Sequence, residues 1–262
     1  MNSGRLTVIG VIPVRYASTR FPGKALADIA GKPMVQHVYE RCAASERLDR
    51  LYVATDDRRI YEAAREFTAD VLITSEAHAS GTDRVAEVAE KVEGDIFVNV
   101  QGDEPLIEPA AVEALIPPFE EDGEVNMATL ARPSRDPNEV NSPNTCKVVT
   151  DESGDALYFS RVPIPHYRSS TPENEYLLHV GTYAFRRDFL LTFAGLKRKR
   201  LEVAEGLEML RALEYGYKIK VVVGPFVSQG VDTEEDLESV RGIIEKSIEK
   251  NGQNPEPGAK SR

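Results

Sequence analysis

The feature that most constrains this chain is a rhythm. Short runs of β-branched and aliphatic residues alternate with longer amphipathic segments. Leu6–Pro13, Leu51–Thr55, Asp70–Ile73 and Ile96–Gln101 read as strands, while Val35–Ala44, Arg58–Phe67, Asp83–Lys91 and Ala110–Glu121 carry helical spacing. Such alternation lays successive strands parallel, with helices on both faces of one sheet. The strand runs are continuously apolar, as two covered faces require. The expected fold class is therefore α/β, a mostly parallel sheet flanked by helices.

The second half changes character. Met127–Ala131, Lys147–Thr150, Leu157–Ser160 and Leu178–Phe185 are spaced as strands between polar turns, followed by helices over Arg187–Phe193 and Val203–Tyr215, a strand at Ile219–Val223 and a helix over Thr233–Lys250. Thr233 with Asp236 three residues on matches a capping box. With no internal repeat and no long linker, the simplest organisation is a single domain over residues 1–251. Within it, residues 126–200 form an inserted region, and a polar, Pro/Gly-marked tail over 252–262 reads as disordered.

A chain of 262 residues buries a core without disulfide or metal staples. Its 32 basic and 43 acidic side chains leave a formal charge of −11, which argues against a general nucleic-acid or anionic-membrane binder. No apolar run reaches the ~18–20 residues of a membrane helix. Leu6–Val14 is interrupted by Pro13 and followed at once by Arg15, so it reads as a buried first strand rather than a signal peptide. Cys42 and Cys146 lie outside any CxxC or Cys/His metal pattern and suggest a reducing compartment.

Against that acidic background, the segment Arg15–Lys24 (RYASTRFPGK) inverts the local sign. It carries Arg15, Arg20 and Lys24, a glycine and no acid, directly after the first strand. Cations and backbone amides at that end of a sheet suit a polyphosphate, although neither GxxxxGK[ST] nor GxGxxG is present. A second segment, Val98–Pro105 (VNVQGDEP), delivers Gln101 and Asp103 at the carboxyl end of a buried strand, where open α/β sheets place ligands. A single Asp there suits Mg²⁺, which takes few protein carboxylates and keeps phosphate and water oxygens; the alternative is a plain Gly-Asp turn. Asp232, in GVDTEED, is either a helix-capping acid or a second metal carboxylate, depending on whether it meets Asp103. Ser80–Arg84 (SGTDR) reads first as a helix N-cap through Thr82 or Asp83, and alternatively as a nucleoside cradle. His37, His78, His166 and His179 show no metal spacing, and Glu202, Glu205 and Glu208 read as a solvated acidic face.

Seven segments in order, IPVRYASTRFPGKALADIAGKPMVQHVYER, YVATDD, SGTDR, VNVQGDEPLI, ALYFSR, HVGTYAF and GVDTEEDL, resemble the 3-deoxy-manno-octulosonate (Kdo) cytidylyltransferase family over roughly Val8 to Val240. The resemblance implies a Rossmann-like sugar-nucleotide transferase fold, Mg²⁺ as cofactor, CTP and Kdo as small-molecule partners and a homodimer. It also implies a bacterial cytoplasmic location and a place in lipopolysaccharide synthesis. It assigns Arg15 and Lys24 to the CTP phosphates, Ser80, Gly81 and Arg84 to the cytidine, and Gln101 to the region between nucleotide and sugar. Asp103 and Asp232 become the metal carboxylates, with Arg161, His179, Tyr183 and Glu208 lining the sugar-acid pocket. Residues 126–200 become the sugar-binding and dimerisation region. Two departures stand out: Ala25 where the family has proline, and Met209 where it has a glutamine that contacts sugar hydroxyls. The second bears on which acidic sugar is used, with sialic acid or an amino variant of Kdo as the alternatives. An inactive relative of the same fold is expected to lack Asp103 or Asp232, and this chain has both.

Overall fold

The computed structural model describes residues 5–17, 21–169, 171, 174–226 and 229–252. The expected tail lies outside these residues except for Gly252, which closes the last helix. Arg20 and its two preceding neighbours also lie outside them.

The first half follows the anticipated alternation. Strand β1 (Val8–Val14) is followed by a small hairpin, β2 (Asp28–Ile29) and β3 (Lys32–Pro33), and by helix α1 (Met34–Ala43). Next come β4 (Arg50–Thr55), α2 (Arg58–Arg65), β5 (Val71–Ile73), α3 (Gly81–Lys91) and β6 (Ile96–Asn99). The second half contributes α4 (Pro109–Ala114), α5 (Pro117–Glu121), β7 (Met127–Ser134), α6 (Pro137–Asn141), β8 (Lys147–Thr150) and β9 (Ala156–Ser160). The chain then runs through β10 (Tyr176–Arg186), α7 (Arg187–Gly195), α8 (Arg200–Glu205), α9 (Leu210–Glu214), β11 (Lys220–Val223) and α10 (Glu234–Gly252).

Among the described residues the main sheet has nine strands, seven of them in the order β11-β7-β10-β6-β1-β4-β5. Six of those seven point the same way; β10 runs antiparallel between β6 and β7. β8 pairs with β10 and β9 with β8, so the segment read as an insertion extends the same sheet. The uniform hydrophobicity of β1 resolves into two faces: Val8, Ile12 and Val14 join α1, α2 and α4 in one core, and Ile9 and Val11 join α3 and α7 in the other.

Two expected helices are broken, for local reasons. Residues 110–121 form α4 and α5 instead of one helix, because Pro117 and Pro118 lack the amide hydrogens a continuous helix needs. Residues 203–215 are likewise divided, because Gly206 adopts a left-handed conformation (φ 63°) that ends α8. Glu202, Glu205 and Glu208 therefore do not share one face, and they do not form the solvated face expected of them. Glu202 is buried against Arg211 in a bidentate pair at 2.7 and 2.8 Å. Glu205 accepts from the Ser160 hydroxyl and the Arg161 amide.

Phe97, in the centre of β6, is fully buried in the core shared with α3 and α7. Replacing it with alanine removes a large apolar side chain from a site the rigid sheet cannot collapse. Phe97→Ala is expected to cost about 3–5 kcal/mol of unfolding free energy in urea titration. A loss below about 1 kcal/mol contradicts this packing.

Candidate active site at the carboxyl edge of the sheet

The parallel strands end together along one edge, and the cavity sits there. It encloses about 300 Å³ and is lined by residues from four separated parts of the chain: 13–15, 24–34, 78–84 and 101–103, closed by Asp232. Eight of the twelve side chains singled out from sequence border it: Arg15, Lys24, Ser80, Gly81, Arg84, Gln101, Asp103 and Asp232.

Backbone packing explains the convergence. β1 and β6 pair in register, and the Val100 amide donates to the Val11 carbonyl at 2.9 Å, so both strands end side by side. Gly102 lies so close to β1 that an added Cβ would stand 2.2 Å from Val14 Cγ1 and 3.2 Å from the Pro13 carbonyl, which excludes any larger residue. The Val231 amide donates to the Asp103 carbonyl at 2.9 Å, joining the turn before α10 to the turn after β6. Asp236 then accepts from the Asp232 and Thr233 amides at 3.0 and 2.9 Å, while its own amide donates to Thr233 Oγ1, the expected capping box. Asp232 is thereby fixed at the cavity mouth.

The two aspartates meet at a cation supplied by the chain itself. Lys24 Nζ donates to Asp103 Oδ2 at 2.5 Å, to Asp232 Oδ1 at 3.1 Å and to the Val231 carbonyl at 2.9 Å. The basic segment is pinched at its base: the Gly23 amide donates to the Tyr16 carbonyl at 2.9 Å, and Arg59 lies 3.3 Å over the Tyr16 ring. Gly23 takes φ 72°, a left-handed turn that launches the short 3-10 segment carrying Lys24. Arg15 stays exposed at the cavity rim. Among the described residues no group of three or more His, Cys, Asp or Glu is placed to hold a metal. Two carboxylates and a carbonyl gathered on one positive charge nevertheless form a hard-oxygen set of the kind Mg²⁺ takes when phosphate and water complete its shell.

The segment Ser80–Arg84 begins a helix. Ser80 is its N-cap, in a reciprocal capping box with Asp83, rather than Thr82 or Asp83 as the sequence suggested. The Arg84 guanidinium contacts Thr74 and donates to Asp56 at 2.6 Å, so its fork holds the cavity wall together in this structure. His78, which the spacing of histidines did not mark, also lines the cavity; its Nε2 lies 2.5 Å from Glu87.

The residues that the resemblance assigns to the sugar acid are layered behind this cavity. Gln101 Nε2 donates to the Gly181 carbonyl at 3.0 Å, where β10 bulges between Val180 and Tyr183. That bulge separates His179 and Tyr183, whose rings lie 5.4 Å apart. Burial drives the Tyr183 phenol well above its ordinary value. Glu208 accepts from Thr82 Oγ1 at 2.5 Å, and burial raises its pKa against that bond. Thr82 also accepts from buried Asn99, so α3, β6 and the loop before α9 are tied together. Arg161 is not among the cavity-lining residues. Its guanidinium donates to the Glu205 and Pro143 carbonyls at 2.8 and 3.0 Å, beside a buried Lys147 whose ammonium holds the Ser142, Thr145 and Arg161 carbonyls. Met209 is 4% exposed and packs among Leu207, Leu210 and the aromatic core, so its thioether faces apolar neighbours.

His179 has a solution consequence. Its Nε2 pairs with Thr129 at 2.9 Å, and burial pushes its pKa down to about 3. The unfolded chain, with a His pKa near 6.5, binds the extra proton first as pH falls, so this contribution is complete above about pH 6.5 and declines toward pH 3. The full shift corresponds to roughly 2 kcal/mol lost between about pH 7.5 and about pH 5; partial access to the ring brings the expected loss nearer 1 kcal/mol. His179→Gln is expected to lose less stability than the parent over that interval in urea unfolding. Parallel losses overturn this account.

The cytidylyltransferase family model matches residues 9–219. A 3-deoxy-manno-octulosonate cytidylyltransferase of Solibacter usitatus is 52% identical over 241 residues, covering 92% of this chain and 96% of the relative. One of the same name from Geobacter sulfurreducens is 52% identical over 245 residues, covering 90% and 98%. Among solved structures, a CMP:2-keto-3-deoxy-manno-octonic acid synthetase complexed with CTP superimposes with a TM-score of 0.87 at 44% identity, covering 92% of this chain and 99% of that one. An inositol-1-phosphate CTP transferase from T. maritima shares the fold, with a TM-score of 0.63 at 15% identity. Half of all positions are retained along nine-tenths of this chain and the family model spans residues 9–219, so the chain is a cytidylyltransferase and belongs to the 3-deoxy-manno-octulosonate cytidylyltransferase family.

Proposed function

We propose that this protein transfers the cytidylyl group of CTP to the anomeric hydroxyl of Kdo: CTP + Kdo → CMP-Kdo + diphosphate. The observation that carries this reading is the meeting of Asp103 and Asp232 beside Lys24 and Arg15 in one cavity. The hydroxyl oxygen bonds to the α-phosphorus as the bond to the β-phosphate oxygen breaks, and the hydroxyl proton is released. Such a transfer needs positioning and charge stabilisation rather than a covalent nucleophile.

Asp103 and Asp232 are the residues that would hold Mg²⁺. When bound, the ion would screen the α-phosphate and draw the anomeric oxygen toward phosphorus. Arg15 and Lys24 take up negative charge on the departing diphosphate. Ser80 and Gly81, at the first turn of α3, cradle the nucleoside, and Arg84 shapes that wall through Asp56. Gln101 bridges from the nucleotide cavity to the β10 bulge, where a neutral His179, Tyr183 and Glu208 offer hydrogen-bonding groups to sugar hydroxyls. Arg161 serves the sugar carboxylate, provided its guanidinium leaves the Pro143 carbonyl; a planar fork suits that pairing. Kdo is favoured over another acidic sugar because relatives 52% identical to this chain carry the 3-deoxy-manno-octulosonate cytidylyltransferase name.

The functional unit in this reading is a homodimer in the bacterial cytoplasm, making activated Kdo for lipopolysaccharide. The edge strand β9 and its surroundings carry exposed Leu157, Val162 and Val203, a surface that a second copy can cover. Among the described residues no helix is long and apolar enough to cross a membrane.

Diphosphate release from CTP in the presence of Kdo, 8-amino-Kdo or sialic acid tests the assignment. Kdo is expected to give the highest kcat/KM by at least about tenfold, a scale set by one or two differential contacts. Preference for another acid reassigns the substrate, and silence with all three removes the activity. Asp103→Asn is expected to lower turnover by roughly 10²-fold or more at saturating Mg²⁺. Near-parental turnover removes Asp103 from the metal site.

A further inference from the structure

We propose that Lys24 is the resident counterion of the metal-binding carboxylates, and that a divalent cation can enter only as this lysine leaves for the nucleotide phosphates. The inference rests on the assignment of Asp103 and Asp232 to the metal and deepens it by adding how the metal is admitted.

The geometry leaves Lys24 no spare hydrogen. An ammonium has three donors, and all three are matched: Asp103 Oδ2 at 2.5 Å, the Val231 carbonyl at 2.9 Å and Asp232 Oδ1 at 3.1 Å. In this arrangement the lysine cannot also serve a phosphate. The same three oxygens are the hard donors a divalent cation would use. Two carboxylates and one ammonium sum to −1, whereas a divalent ion on the two carboxylates alone sums to zero. Keeping the ammonium there as well would set two cations against each other in a pocket where the Lys24 side chain is only 16% exposed.

The exchange is assigned to the side chain. Lys24 begins a 3-10 turn held by its own carbonyl bond to the Ala27 amide at 3.0 Å, and rotation about its four-carbon stem would carry the ammonium away while that turn stays in place. The cavity it faces also contains Arg15, so a released ammonium moves toward a place already built for anions. Metal and nucleotide are therefore linked. The triphosphate draws Lys24 away and uncovers the carboxylates; by reciprocity, the metal frees Lys24 for the triphosphate. Without nucleotide, metal affinity is held down by the lysine.

The test is Mn²⁺ alone, titrated into nucleotide-free protein and followed by the electron paramagnetic resonance signal of free Mn²⁺. Lys24→Met and Lys24→Gln are expected to bind one Mn²⁺ at least about tenfold more tightly than the parent, as removal of a competing cation implies. Circular dichroism checks that both are folded, and two variants guard against the failure of one. Adding Asp103→Asn to either is expected to abolish the gain. If both lysine variants bind Mn²⁺ no more tightly than the parent, the counterion role is overturned, while the metal assignment survives provided Asp103→Asn lowers turnover. If the gain persists with Asp103→Asn, the carboxylate pair is not the site, and the metal assignment falls together with the inference.

Discussion

The contact on which the site depends is the three-oxygen cradle around Lys24. Its members come from the segment after β1, the turn after β6 and the turn before α10. Each is brought there by backbone packing rather than by the side chains that meet. Parallel pairing aligns the ends of β1 and β6, and the absence of a side chain at Gly102 lets the turn lie against Val14. A backbone bond from Val231 to Asp103 then closes the third side. Two carboxylates on one ammonium leave a net charge of −1, and the cradle ties three distant segments together. In the reading proposed above it is also what a divalent ion arriving with a polyanion would rearrange.

A second layer behind the cavity works by exclusion of water. The antiparallel strand β10, inserted between β6 and β7, puts its bulge beside Gln101 and presents His179 and Tyr183 on either side of it. Burial keeps the imidazole neutral and the phenol protonated, so both are hydrogen-bonding groups rather than charges at neutral pH. The Glu208 pKa is raised by the same cause, and Glu208 is tied through Thr82 to the helix whose first turn lines the cavity. The buried Glu202–Arg211 pair fixes the segments on either side of Gly206, from which Glu208 projects. The cavity and the layer behind it are therefore mechanically one unit, joined through Asn99, Thr82 and Gln101.

Much of this was legible in the amino-acid order. The alternation of strands and helices and the Thr233–Asp236 cap depend on contacts within a few residues, and local physics reads them correctly. The failures were local competitions too. Pro117 and Pro118 interrupt a run that hydrophobic spacing alone makes one helix, and Gly206 divides another. The three glutamates misled because their spacing assumed an unbroken helix. His78 was overlooked because no metal spacing includes it, although its place two residues before Ser80 was a usable signal.

By itself the sequence determined the fold class, the sign of the charge at each end of the site and, by resemblance, the family. These follow from periodicity, composition and motifs in order. Tertiary structure alone decided that Asp103 and Asp232 share one cation, that Arg84 is engaged by Asp56, that Arg161 lies against main-chain carbonyls and that Met209 faces the core. Each of these depends on which distant segments become neighbours. That is set by strand order and by burial summed over the whole sheet, a property no short window of sequence contains.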